Sequence, residues 1–427
     1  MSADHPLSKS RLGRAAKLAR LGAGTGLGLI TGKSPEAVAE QATLVLASMR
    51  GLAAKVGQMA SSLDGVLPDS IQGPVSDALS KLRNRTETSP YAAIVAVIED
   101  DLGSPIASLF REFEPIPIAS ASIGQVHRAM LADGTAVAVK VQHPGIDAAV
   151  RSDLSNAKLL ERLAGSLLPK GFDIDRAFDE IAARIGDELD YRIEAKNQTR
   201  FGALHRNTPF VTIPAVVASH SGRRVLTSAL HAGRQFDEVV TQSSAAERAT
   251  YAATLWRFVF RSILVGGEFN ADPHPGNYLF GPAPNVVFLD FGCVQQLSFA
   301  RRLAAREVHQ AAVQRDEARF ACGVRQLLGT KSGSFETMAL AFSRRAFEPI
   351  FASPYRVKPD FLRGLFALAS DAKVDLLRRR IEPTPFPPDL ALVNRLQFGF
   401  YSLLSRLDVE VDYAALQREI LAEPFDG

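Results

Sequence analysis

One stretch decides the fold of this chain: Asp272-Pro273-His274-Pro275-Gly276-Asn277, followed from position 290 by Asp290-Phe291-Gly292. The spacing D-x-x-x-x-N is typical of a catalytic loop. The four apolar residues 286–289 predict a short buried strand that delivers the carboxylate of Asp290. Transfer of a phosphoryl group from ATP needs a carboxylate near the attacking hydroxyl, then an amide oxygen and a second carboxylate that hold magnesium. We assign these three roles to Asp272, Asn277 and Asp290.

A second pattern lies upstream and predicts the nucleotide contacts. Val137-Ala138-Val139-Lys140 reads as a strand that presents a lysine, although this pattern alone is common in proteins. A run of small residues precedes it, where backbone amides could approach phosphates. We predict that the nucleotide contacts Lys140 and the six residues Ala119, Ser120, Ala121, Ser122, Ile123 and Gly124. Because alanine is restricted to negative φ, this loop is expected to be stiffer than a glycine-rich loop.

Together these segments resemble the UbiB/AarF/ADCK family of atypical protein-kinase-like proteins. Two further segments carry the resemblance: Glu188-Leu189-Asp190-Tyr191-Arg192-Ile193-Glu194, and Lys55-Val56-Gly57-Gln58, which is similar to the K-x-G-Q signature of the family. The resemblance covers roughly residues 36 to 410.

The resemblance implies an α+β, bilobal protein-kinase-like fold. Its small lobe would contain an antiparallel sheet plus extra helices around residues 147 to 168, and its large lobe would be mainly helical. We predict four segments, namely a basic flexible arm (1–33), a helical extension with the K-x-G-Q motif (34–100), the small lobe (101–232) and the large lobe (233–427). The resemblance also implies an ion pair between Lys140 and Glu194 that supports catalysis. Glu194 lies on a stretch that we predict to be helical from about residue 175 to 201.

Five residues are assigned regulatory roles by the resemblance: Lys55, Gly57, Gln58, Glu188 and Asp190. The K-x-G-Q helix is expected to cover the place where a protein kinase binds its peptide, which favours ATP hydrolysis, autophosphorylation or a small or lipidic acceptor. A glycine for close helix packing is the alternative explanation of that motif. Residues two apart do not share a helical face, so we expect Glu188 and Asp190 to have different partners. The alternative is that both decorate an exposed acidic helix.

One departure from the family pattern lies two residues before the catalytic aspartate. The family usually has a histidine two residues before the catalytic aspartate, whereas this chain has Asn270. An asparagine can still hydrogen-bond the loop backbone, so we expect the site to be retained. His274, between two prolines, is predicted to shape the loop rather than to bind a metal.

Composition bounds the partners and the compartment. A net charge of +3 gives little electrostatic footprint for nucleic acid. Two cysteines are too few for a disulfide framework, so we predict a cytoplasmic location, possibly peripheral to the inner face of a membrane. The basic residues of the arm could contact an anionic bilayer, or the arm could be a solvated tail. We predict no membrane span in the arm or at the C-terminal end.

Two function classes follow. The resemblance implies an enzyme, an ATP- and magnesium-dependent atypical kinase or ATPase that supports ubiquinone or related isoprenoid-quinone biosynthesis or lipid homeostasis. Its ligands would be a nucleotide and a quinone precursor or lipid. The alternative is a pseudokinase scaffold that binds nucleotide and organises a membrane-associated complex with little turnover. A small-molecule kinase is a third possibility, against which the K-x-G-Q segment weighs. The presence of Lys140, Glu194, Asp272, Asn277 and Asp290 favours chemistry.

Overall fold

The structure, a computed structural model, describes residues 88–120, 123–151, 186–281, 284–377 and 387–424. The chain divides into two compact units. The first contains the described residues up to Arg192 together with Val217–Thr227, and the second contains Ile193–Val216 and the residues from Ser228 onward. The arm, the K-x-G-Q segment and most of residues 147 to 168, where extra helices are predicted, lie outside the described residues. The predicted segment boundaries stay predictions.

The first unit is built on a sheet in the order β1-β3-β4-β6, in which β2 also pairs with β3. Its strands are β1 (Glu112–Phe113), β2 (Ala119–Ser120), β3 (Gly124–Met130), β4 (Ala136–Gln142) and β6 (Val225–Ala229). The pairings of β3 with β1, β2 and β4 are antiparallel, as predicted. Val137, Val139 and Val141 alternate along β4 and are fully buried, so the opposite face of the strand presents Lys140.

Two helices cover the buried face of this sheet, α1 (Tyr91–Leu102) and α2 (Ile106–Leu109). Ile94 and Ile98 of α1 lie one turn apart and pack with the β4 valines in one hydrophobic cluster. This packing fixes which way Lys140 points.

Helix α3 (Tyr191–Leu204) is shorter than predicted. The expectation of continuous helix from about residue 175 to 201 is wrong at Leu189–Asp190, where the chain leaves the helical turn 186–188. The Asp190 carboxylate accepts a hydrogen bond from the backbone N–H of Arg192 at 3.1 Å. Such a side-chain bond competes with the helical backbone bond and starts a new helix at Tyr191.

The second unit is mainly helical, as predicted for residues after 233. Its remaining helices are α4 (Phe236–Gln242), α5 (Ala245–Arg261), α6 (Phe299–Gln314), α7 (Glu317–Leu328), α8 (Ser334–Ala346), α9 (Glu348–Phe351), α10 (Pro359–Leu377), α11 (Val393–Leu407) and α12 (Tyr413–Leu421). A π-helical turn, Ser262–Gly266, extends α5, and 3-10 turns occupy Ala218–His220, Pro275–Asn277 and Pro388–Leu390. Helix α11 begins at Val393, shortly after the last of these turns.

Short strands of the second unit form three small sheets. The strands are β5 (Val211–Thr212), β7 (Glu268–Asn270), β8 (Tyr278–Phe280), β9 (Val286–Phe288), β10 (Val294–Gln296), β11 (Tyr355–Arg356) and β12 (Glu410–Val411). They pair as β5-β9-β8, β10-β7 and β11-β12. All three residues of β9 are buried, which confirms the strand predicted before Asp290. Within the described ranges, no helix combines the length and apolarity that crossing a membrane requires.

Candidate active site

Asn270, at the end of β7, ties the two predicted catalytic segments together. Its Oδ1 accepts a hydrogen bond from the backbone N–H of Asp272 at 3.0 Å, and its Nδ2 donates to the carbonyl oxygen of Asp290 at 2.5 Å. The next residue continues the join, since the N–H of Ala271 donates to the carbonyl of Cys293 at 2.8 Å. The expectation that an asparagine here would hydrogen-bond the loop backbone is confirmed.

Asp272 lies between an amide and a guanidinium. Its Oδ2 accepts from Nδ2 of Asn277 at 3.1 Å, and its Oδ1 accepts from Nη2 of Arg395 at 2.5 Å. The same Asn277 nitrogen is 3.1 Å from the carbonyl oxygen of Asp272. Because both partners are acceptors, the amide nitrogen must face Asp272. The side-chain oxygen of Asn277, Oδ1, is then the atom that suits a cation.

Asp290 reaches the same place through the pairing of β8 with β9. Tyr278 and Phe288 are opposite each other, and the N–H of Leu289 donates to the carbonyl of Asn277 at 3.0 Å. Oxygen ligands from Asn277 and Asp290 are those that magnesium prefers. The residues present therefore fit this ion, and their role as its ligands stays a prediction.

The turn after Asp290 is held from within. The Asp290 Oδ1 accepts from the N–H of Gly292 at 2.9 Å. A methyl group added at Gly292 would lie 3.3 Å from that Oδ1 and 3.7 Å from Oε2 of Glu194. Two carboxylates therefore flank this glycine, and Glu194 is only 5% exposed.

Helix α3 is anchored to this turn by residues that were not predicted from the sequence. Nδ2 of Asn197 donates to the carbonyl oxygen of Phe291 at 3.0 Å. Arg200 donates to Oδ1 of Asn197 at 3.0 Å and to Glu268 of β7 at 2.5 Å. A polar residue on the same face as Glu194, three positions later in the helix, is the signal that could have found Asn197.

Lys140 lies in the first unit, opposite Val126 across β3 and β4. Its ammonium nitrogen is 5.1 Å from the centroid of the Tyr191 ring, within the range of a cation–π interaction. Glu194 belongs to the second unit, so the Lys140–Glu194 ion pair stays a prediction.

The small-residue loop is partly described. Ala119 and Ser120 form β2, while Ala121 and Ser122 lie outside the described residues. The hydroxyl of Ser120 is buried and finds no hydrogen-bond partner within the described part of the chain. A buried polar atom without a partner is costly, and a phosphate oxygen would satisfy this hydroxyl. Ser120 therefore fits a phosphate contact, and the nucleotide-binding role of the loop stays a prediction.

Gly124 has a packing role. A Cβ at this position would lie 2.4 Å from the carbonyl oxygen of Val141 and 2.6 Å from the Tyr191 hydroxyl oxygen. Only glycine permits so close an approach of β3 to β4. Ile123, the neighbouring predicted contact, is buried.

In the acidic pair of Glu188 and Asp190, Asp190 binds a neighbouring arginine. Asp190 binds the Arg192 side chain at 2.8 and 2.5 Å, and this bond lowers the pKa of the Asp190 carboxyl. Glu188 lies on the preceding helical turn, and its regulatory role stays a prediction. The other regulatory residues, Lys55, Gly57 and Gln58, lie outside the described residues. His274 shapes the loop, because its Nδ1 accepts from the N–H of Gly276 at 3.1 Å.

Comparison with known proteins decides the family. The family model described as the ABC1 atypical kinase-like domain matches residues 81–322. The chain belongs to this family. The predicted kinase-like α+β fold and the resemblance to the UbiB/AarF/ADCK proteins are thereby confirmed.

Members of the ABC1 atypical kinase-like family in eukaryotes are similar over much of the chain. The atypical kinase COQ8B, mitochondrial, of Rattus norvegicus is 30% identical over 432 residues, with 96% of this chain and 80% of that protein covered. The AarF domain-containing protein kinase 1 of Xenopus laevis is 32% identical, with 63% of this chain and 52% of that protein covered. The chain also spans 52% of the chloroplastic ACTIVITY OF BC1 COMPLEX KINASE 7 of Arabidopsis thaliana, to which it is 31% identical over 87% of its own length.

A solved structure is similar over nearly the whole chain. It is the complex of Rv3197 with erythromycin from Mycobacterium tuberculosis, which has a TM-score of 0.66 and 28% sequence identity. The similarity covers 92% of this chain and 99% of that one.

Proposed function

We propose that this protein is an ATP- and magnesium-dependent atypical kinase or ATPase. The observation that carries the proposal is the cluster of Asp272, Asn277 and Asp290, held together by the amide of Asn270. It supplies a carboxylate for the attacking hydroxyl and two oxygen ligands for magnesium. The membership of relatives named atypical kinases in the same family supports this reading.

The chemistry of the site divides among its residues. Bound magnesium would neutralise charge on the nucleotide phosphates. Asn277 and Asp290 would hold the ion, and Lys140 would contact the phosphates. Asp272 would orient the acceptor and take its proton. The acceptor is a hydroxyl of a substrate or of water, which keeps both kinase and ATPase activity open to one site.

We further propose that this activity supports the synthesis of ubiquinone or a related isoprenoid quinone, or lipid homeostasis. The relative named COQ8B and the family resemblance support this part of the proposal. A quinone precursor or lipid would then be the acceptor or the activating ligand. Contact with a membrane would be peripheral, through the basic arm, at the inner face of a membrane.

Phosphate release from ATP and magnesium tests the proposal. The wild type should be compared with Asp290→Asn, with and without anionic liposomes that carry a quinone-like phenol. We expect the mutation to abolish release and the liposomes to increase release by the wild type. Tight nucleotide binding without turnover in both conditions would contradict the proposal and support the pseudokinase scaffold. Turnover that liposomes leave unchanged would contradict the lipid-linked role alone.

A further inference from the structure

A helix from the C-terminal part of the second unit reaches the predicted catalytic carboxylate. Nη2 of Arg395, on α11, donates to Oδ1 of Asp272 at 2.5 Å. The two side chains are only 16% and 23% exposed. Bonds between two charged groups are shorter and stronger than neutral ones, and partial burial reduces their screening by salt. Arg395 therefore has a defined contact at the site, 123 residues away in sequence.

The next turn of α11 shows that this contact is built into the fold. A Cβ at Gly399 would lie 2.5 Å from Cγ of Pro273, closer than real side-chain atoms approach. Residues four apart share one face of a helix, so Arg395 and Gly399 meet Asp272 and Pro273 side by side. The absence of a side chain at Gly399 allows the helix to approach closely enough for the guanidinium to reach the carboxylate.

The start of α11 is also fixed near the second catalytic segment. Asp389, just before the helix, accepts hydrogen bonds from the backbone N–H of Ser298 at 3.2 Å and from its hydroxyl at 2.8 Å. Ser298 follows the short segment Cys293–Leu297, whose strand β10 pairs with β7. The segment after Asp290 thus pairs with β7, and within the described residues α11 supplies the cation that binds Asp272.

We propose that Arg395 is a positioning residue for Asp272. Arg395 holds Oδ1 while Asn277 holds Oδ2, so the carboxylate is oriented at both oxygens. A carboxylate has about four lone-pair sites, so these two bonds leave room for an acceptor hydroxyl. In the reaction, the hydroxyl oxygen forms a bond to the γ-phosphorus and its proton passes to Asp272. The bond from that phosphorus to the ADP oxygen breaks, and its electron pair leaves with ADP.

This inference rests on the proposed phosphoryl transfer and deepens it. If Arg395 orients Asp272, its loss should lower kcat and leave the KM for ATP unchanged, because the carboxylate acts on the acceptor. Because Arg395→Ala removes a hydrogen bond to a charged group, we expect kcat to fall by about 10- to 100-fold.

The test compares three variants of the full chain in steady-state phosphate release from ATP and magnesium. Arg395→Ala removes the contact, and guanidinium chloride at low millimolar concentration should restore part of its activity. Gly399→Ala shifts the helix but retains the guanidinium, so its lowered activity should not respond to added guanidinium. Arg406 also lies on α11 and makes an exposed ion pair with Asp237 of α4. Arg406→Ala should therefore behave as the wild type.

The outcomes separate this inference from the proposed function. A wild type without turnover overturns the proposed function and this inference with it. Turnover by the wild type that Arg395→Ala matches or exceeds overturns the positioning role alone. Sodium chloride at the same ionic strength is the control for added guanidinium chloride. If guanidinium restores no more activity to Arg395→Ala than sodium chloride does, the positioning role is also overturned, in favour of a purely structural role.

Discussion

Asn270 joins the two halves of the candidate site through the two ends of one amide. Its oxygen holds the backbone of Asp272 and its nitrogen holds the carbonyl of Asp290. Because backbone bonds such as Ala271 N–H to the Cys293 carbonyl also join these segments, replacement of Asn270 should affect chemistry more than stability.

We expect Asn270→Ala to lower phosphate release by about ten-fold or more, since two hydrogen bonds of about 1 kcal/mol each are lost. Asn270→His, which introduces the histidine that the family resemblance implies at this position, should retain most of the activity. Asn285→Ala is a matched control, because that amide accepts from Thr212 at a different place in the unit. Equal activity in Asn270→Ala and wild type would show that the tether does not matter.

The close packing at Gly124 gives a second prediction for a single residue. An alanine Cβ would meet the Val141 carbonyl oxygen, which is backbone and cannot turn away. We expect Gly124→Ala to destabilise the first unit by about 1 to 3 kcal/mol, as overpacking usually does. Urea unfolding followed by hydrogen exchange in β3 and β4 measures this. Gly186→Ala, where nothing lies within 4 Å, is the control, and an equal loss in both variants would contradict the packing argument.

Helix α3 contacts both β7 and the Asp-Phe-Gly turn of the second unit. Asn197 reaches the Phe291 carbonyl, and Arg200 reaches both Asn197 and Glu268. The buried ring of Phe291 packs on Phe201 of the same helix at 5.0 Å between centroids. A change in the position of α3 should therefore be transmitted to the Asp-Phe-Gly turn.

Loss of the Asn197 amide should loosen that turn. Asn197→Ala leaves a buried carbonyl without its donor, at a cost of about 1 to 3 kcal/mol. We expect faster hydrogen exchange at Phe291 and Gly292 together with lower phosphate release. Thr199→Ala, exposed on the same helix, should change neither. Unchanged exchange at the turn in Asn197→Ala would mean that α3 does not hold it.

At the scale of the whole molecule, two buried histidines make the second unit sensitive to acid. Burial, helped by Arg261, lowers the pKa of His205 to about 3, and burial, helped by Arg306, lowers that of His309 to about 3. The unfolded chain binds protons on these residues at the ordinary value near 6.5. Stability is therefore full above that pH and is lost as the pH falls toward 3.

Below pH 6, we expect each of these histidines to lower the free energy of unfolding by about 1.4 kcal/mol per pH unit. Urea unfolding of the second unit between pH 7.5 and 4.5 measures this slope. His309→Leu should flatten it by one histidine's share, whatever its cost at pH 7.5. An unchanged slope in that variant would show that His309 takes up its proton in the folded state.

Features set by neighbouring residues could be predicted from the sequence, whereas features set by residues far apart in the sequence could not. The strands that carry Lys140 and precede Asp290 were predicted correctly, because alternation and apolar runs are local signals. The break before Tyr191 was missed, since the apolar period continues through it while the Asp190 side chain competes for the backbone.

Contacts between distant segments were beyond local patterns. The bonds from Asn197 to Phe291 and from Arg395 to Asp272 join residues 94 and 123 positions apart. No periodicity carries that information, because packing of whole helices creates these contacts. The catalytic triplet was recognisable only because its spacing within one loop and strand is itself short.

The central claim is that Asp272 acts as the carboxylate of a magnesium-dependent phosphoryl transfer. The most direct measurement is phosphate release by Asp272→Asn beside the wild type, with ATP binding measured for both by calorimetry. We predict that the variant binds ATP and magnesium as the wild type does and loses at least about 100-fold in turnover. Equal turnover in the two proteins, or binding without turnover in both, would contradict the account.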